Sequence, residues 1–98
     1  MSKYSSEERI RIYEAALCKY GPKSQMQVAI EEMAELTKEL CKVFRTKKGT
    51  APEKEGLIDE ISDVAIMLEQ LQFIFSLNGM IEERMDFKIE RLAKRLGL

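Results

Sequence analysis

At 98 residues, 45% apolar and 34% charged, the chain has room for one domain, residues 1–98, with a modest core, and it is far from the composition of a disordered tail. Sixteen Lys and Arg against seventeen Asp and Glu leave a formal charge of -1, with neither sign gathered into a block, which argues against nucleic acid as a partner. The absence of histidine excludes His-based nucleophilic catalysis, zinc fingers and the Glu-x-x-His arrangement of helical di-iron sites.

Ser5 or Ser6 can cap a first helix, with Glu8 in the capping-box position after Ser5. Ile10, Tyr13, Ala16, Leu17 and Tyr20 then recur on one face until Gly21-Pro22 interrupts the pattern. Lys23 or Ser24 opens a second helix running to about Arg45, whose apolar face is Met26, Ala29, Ile30, Met33, Leu36, Leu40 and Phe44. Residues 45–56, RTKKGTAPEKEG, carry no periodicity and hold two Gly and one Pro, so a loop is expected there. A third helix is expected from Leu57 to Leu77, stopping near Asn78-Gly79, and a fourth from about Met80 to Leu96. The expected fold class is therefore all-α, a four-helix bundle.

Cys18 and Cys41 fall in different helices and read as small apolar residues, not as a disulfide or a metal pair. The start MSKYSSEERI has no apolar signal-peptide core, and no stretch approaches about 18 consecutive apolar residues. The expectation is a cytoplasmic chain with no membrane partner.

Two acid pairs share one register. With each residue advancing about 100° around a helix, Glu32 and Glu35 lie one turn apart on one flank of the apolar face centred on Met33. Glu60 and Asp63 lie at the same offsets from Ile61. On the third helix that flank continues as Met67, Leu71 and Ile74, so its acids stand at the head of a stripe that becomes apolar. Carboxylates at such an edge repel one another and lose hydration unless a cation sits between them. Four carboxylates on two facing helices suit a hard divalent cation, Mg2+ first and Mn2+ next. The plainer reading makes Glu31 and Glu39 solvated residues, and Glu35–Lys38 and Glu39–Lys42 exposed pairs of neighbouring turns. On that reading the chain is an acidic helical module that binds another helix.

EEMAEL at 31–36, followed by DEISDV at 59–64, resembles the MazG-like all-α nucleoside triphosphate pyrophosphohydrolases, whose signature is Glu-Glu-x-x-Glu and, downstream, Glu-x-x-Asp. The likeness is closest to compact bacterial and phage members and covers about residues 20–96, taking in AIEEMAEL, the helix end LCK and DVAIMLEQL. It implies a MazG-like bundle with Glu32, Glu35, Glu60 and Asp63 as metal ligands and Mg2+ as cofactor. The implied reaction cleaves a nucleoside triphosphate between the α and β phosphates, giving monophosphate and pyrophosphate. Glu31 and Glu35 are the catalytic candidates, Glu31 to orient or deprotonate the attacking water. Lys38, Lys42 and Arg45 are candidates for the phosphates, with Lys88 and Arg91 from KIERL at 88–92, and Gln25 for base or sugar. The third helix, apolar over roughly 200° of arc, and the resemblance both lead to a homo-oligomer, a tetramer favoured over a dimer.

Overall fold

The computed structural model describes residues 2–45 and 51–98, residues 51–53 by their backbone alone; the part of the expected loop at 46–50 lies outside the described residues. The chain forms an all-α bundle of four discrete helices: α1 (Ser6–Tyr20), α2 (Pro22–Arg45), α3 (Ala51–Ile74) and α4 (Met80–Arg95).

Local chemistry sets the ends of these helices. The Ser5 hydroxyl accepts from the Glu8 amide at 3.1 Å while the Glu8 carboxylate accepts from the Ser5 amide at 2.9 Å, closing the expected capping box. Gly21, at φ +83°, ends α1 by donating its amide to the Leu17 carbonyl, and Pro22 opens α2 where a missing N–H costs nothing. Gly79, at φ +76°, makes the left-handed step into α4.

α3 departs from expectation at both ends. It begins at Ala51, six residues before Leu57, because Pro52 in a first turn is compatible with a helix and the polar run that follows lacks only an apolar period, not helical propensity. It stops at Ile74, short of Leu77, where Ser76 takes φ +54° and the amides of Ser76 and Leu77 turn back to Phe73 and Gln72.

α2 and α3 form the main packed pair, and α1 lies across both. Glu32 meets Glu60 and Asp63, whereas Glu39, farther along α2, meets Gly56, earlier in α3, so the two helices run antiparallel. Buried or half-buried residues recur along α2 at Gln25, Ala29, Glu32, Leu36, Glu39 and Val43, and along α3 at Leu57, Glu60, Val64, Met67, Leu71 and Ile74. This alternation of four and three is the spacing of a helix-pair seam. The core sits at the α1 end of the seam, where Tyr13, Gln25, Ala29 and Met67 are buried.

The seam on α2 is offset by one residue from the apolar face read in the sequence. Of that face, Ala29 is buried, but Ile30, Met33, Leu40 and Phe44 are exposed, Phe44 to 89%. One position beyond the seam on α3, Ile58, Ile61, Leu68 and Phe75 are exposed too. In an antiparallel pair, positions one residue beyond the contact on both helices turn to the same side, so these side chains form one apolar face opposite α1. α4 contributes little to the packed body: only Ile81 and Ala93 are half-buried, and Met85, Ile89, Leu92 and Leu96 are exposed. The radius of gyration, 16.3 Å, exceeds the ~13 Å of a compact chain of this length for the same reason.

Candidate metal centre

Each acid of the centre is placed by its position on the α2–α3 pair. Glu32 and Glu60 occupy seam positions, where neighbouring helices normally bring apolar side chains together, and both are half-buried. Asp63 lies just off the seam on the side that carries α1, and it is exposed. Glu32, Glu60 and Asp63 each present a carboxylate oxygen, and the three oxygens lie within 4.8 Å of one another.

The charges of this group act mainly against one another. Loss of hydration raises the Glu60 carboxyl above its ordinary value, and the charges of Asp63, Glu35 and Glu39 add to the rise, against a hydrogen bond with Glu32 that lowers it. Glu32 is raised first by loss of hydration and then by Asp63 and Glu60. Glu60 Oε2 is buried without a hydrogen-bond partner among the described residues. Such an oxygen is costly unless a proton or a cation reaches it. The acids present only oxygen, which suits a hard divalent ion, and their number can hold one while leaving coordination positions for water or an anionic ligand.

Of the four acids expected to converge, the structure brings three together. Glu35 stands outside the trio and is exposed, although its charge reaches Glu60. Glu31 is exposed beside Glu32. Lys38, Lys42 and Arg45 follow Glu35 at steps of three, four and three, which keeps them on the α1 side of α2; Lys38 and Arg45 are exposed and Lys42 is half-buried. Gln25 is buried to 6% exposure at the packed end of the seam, a poor position for touching a base or sugar. Lys88 and Arg91 are exposed on α4, outside the principal packing of the chain, where the Arg91 guanidinium lies 5.9 Å from the centre of the Phe87 ring.

Glu39, expected to be solvated, is a seam residue whose side chain is only 15% exposed and pairs with Lys42 at 2.9 Å. The signal was present in the sequence: 32 to 39 is one heptad, so a seam through Glu32 passes through Glu39. Cys18 and Cys41 are both free and exposed, not core residues.

Comparison with family models, curated proteins and solved structures finds no match to this chain. Fold and site together define an all-α four-helix protein with a carboxylate cluster able to chelate a metal ion. Among the described residues, no helix is long and apolar enough to cross a membrane.

Proposed function

We propose that this chain is a divalent-metal-dependent nucleoside triphosphate pyrophosphohydrolase of the MazG-like kind. The observation that carries the reading is the meeting of Glu32 with Glu60 and Asp63: residues of two separate motifs, three of the four expected as ligands, present oxygens within 4.8 Å and leave a buried Glu60 oxygen unpartnered. Mg2+ is the favoured ion, and Mn2+ is its chemical substitute. Bound there, the ion would neutralise phosphate oxygens and acidify a water for attack on the α phosphorus.

The protein's own part is positioning and proton transfer. Glu32, Glu60 and Asp63 hold the cation, and Glu35 joins them by a change of rotamer on the same face. Glu31, outward of the cluster, orients the water and takes its proton. Lys38, Lys42 and Arg45 offer cations to the leaving pyrophosphate from the same side of α2. Lys88 and Arg91 reach a site through assembly with another copy. The exposed face of Ile30, Met33, Leu40, Phe44, Ile58, Ile61, Leu68 and Phe75 supports a dimer, and the apolar stripe of α4 supports a second interface and hence a tetramer.

The decisive experiment is a nucleotide panel with Mg2+, resolved by chromatography. Monophosphate and pyrophosphate are expected; diphosphate with orthophosphate would mean attack at the γ phosphorus and would contradict the reading. The exposed apolar face also favours a second reading, a non-catalytic acidic module that binds a helix or regulates a partner. Absence of turnover across the panel, with a stoichiometric complex formed by a partner protein, would select it.

A further inference from the structure

Glu39 and Gly56 carry an arrangement that the metal centre does not use. Glu39 sits seven residues beyond Glu32 on the same seam of α2, and its carboxylate rests against the one glycine inside α3. A Cβ at position 56 would lie 2.7 Å from Glu39 Oε2 and 3.1 Å from its carboxyl carbon, so a larger residue there makes the carboxylate shift from its seat. Glycine within a helix costs roughly 0.5–1 kcal/mol relative to alanine; here that cost makes room for an acid at a seam position. The seated carboxylate accepts a hydrogen bond from the Lys42 ammonium at 2.9 Å.

The location gives the pair a use. Gly56 precedes Glu60 by one helical turn, about 6 Å along α3, and Lys42 emerges on the side that carries Asp63 and Glu35. An ammonium has three donors and can hold Glu39 and a phosphate oxygen together. We propose that Glu39, seated over Gly56, is a positioning residue that fixes Lys42 one turn along the α2–α3 pair from the metal carboxylates, where it receives the terminal phosphates of a polyphosphate substrate. The proposal rests on the pyrophosphohydrolase reading for its ligand class, and on the Glu39–Gly56–Lys42 geometry for its residues.

Charge and position have opposite signs in this arrangement, which makes it testable. Removing the Glu39 charge alone strengthens anion binding nearby, because a like charge is lost. Removing its positioning of Lys42 weakens binding, because the ammonium must be ordered anew. The experiment is calorimetric titration of Mn2+ and then of inorganic tripolyphosphate into the full chain, for the native protein and for Glu39→Gln, Gly56→Ala, Lys42→Gln and Lys42→Arg. Mn2+ affinity is expected to stay within about twofold in Gly56→Ala and Lys42→Arg and to shift only by the altered charge in Glu39→Gln and Lys42→Gln, and circular dichroism should show no loss of helix in Gly56→Ala, given alanine's higher propensity. Tripolyphosphate affinity is expected to fall about tenfold in Lys42→Gln and about fivefold in both Glu39→Gln and Gly56→Ala, with Lys42→Arg recovering most of it. Unchanged or tighter tripolyphosphate binding in Glu39→Gln and Gly56→Ala overturns the proposal, as does a native protein that takes Mn2+ but no tripolyphosphate. Tripolyphosphate binding with the expected variant pattern, but no turnover of any nucleotide, would sink the enzymatic reading and leave this inference standing.

Discussion

Glu60 and Glu69 stand nine residues apart on α3, and their surroundings are opposite. Glu69 accepts two hydrogen bonds from Arg9 and one from the Tyr13 hydroxyl, so cation and donor are supplied by α1. Glu60 faces Glu32 and Asp63, feels the charges of Glu35 and Glu39, and leaves one buried oxygen without a partner. The first carboxylate is completed within the fold and ties α1 to α3; burial and the contact with Glu69 push the Tyr13 phenol up to about 12. The second has no such partner for its buried oxygen among the described residues. A carboxylate with its own cation reads as architecture, whereas one surrounded by carboxylates reads as a receptor.

The sharpest way to break this contrast is through activity. Glu60→Gln and Asp63→Asn should each lower turnover by about 10³ or more, on the order of 4 kcal/mol of barrier, with helix content unchanged by circular dichroism. Glu69→Gln should lower turnover per folded molecule by no more than a few-fold. Equal losses in both groups would erase the distinction.

The next effect belongs to the packed end of the seam. Met67, 5% exposed, should cost about 3 kcal/mol when truncated to alanine, seen as a drop in thermal midpoint at fixed metal concentration. Activity per folded molecule should be retained, because the truncation removes packing and no ligand.

A smaller effect joins metal and pH. At 100 times its Kd, Mg2+ should stabilise the chain by about 2.7 kcal/mol, on the order of 10 °C in the thermal midpoint. Without metal the sign reverses with pH. Glu32 and Glu60 bind their protons more tightly when folded than their ordinary value of 4.5, so their contribution to stability is complete below that value and is lost as pH rises through the elevated folded values. Metal-free Glu60→Gln should therefore lose less stability than the native chain between pH 4.5 and neutrality, and Mg2+ should rescue the native chain alone.

Much of this site was legible in the sequence. The Ser5–Glu8 cap, the Gly21-Pro22 break and the Gly79 turn each have one local cause, and local causes survive folding. The matching register of Glu32 with Glu60 and Asp63 was legible as well, because helical geometry fixes angles from spacing alone. What escaped was which face of α2 meets α3. Periodicity marks where apolar side chains gather, and on α2 they gather on Ile30, Met33, Leu40 and Phe44, which this chain leaves exposed. The actual seam, one residue back, contains Gln25, Glu32 and Glu39, a set that no hydrophobic pattern selects. Glu39 accordingly reads as solvated in the sequence, where nothing accounts for Gly56; the fold accounts for it by the carboxylate that lies against it. The isolation of α4 has the same origin: an amphipathic helix declares that it has an apolar stripe, not whether its own chain covers it.

The central claim is that Glu32, Glu60 and Asp63 form a receptor for a divalent cation, and calorimetric titration of Mn2+ into the metal-free chain near neutral pH tests it most directly. Saturable binding is expected in the native protein and in Glu69→Gln, with loss of at least tenfold in affinity in Glu32→Gln, Glu60→Gln and Asp63→Asn alike. Mn2+ binding that persists at native affinity in all three of those variants would contradict the account.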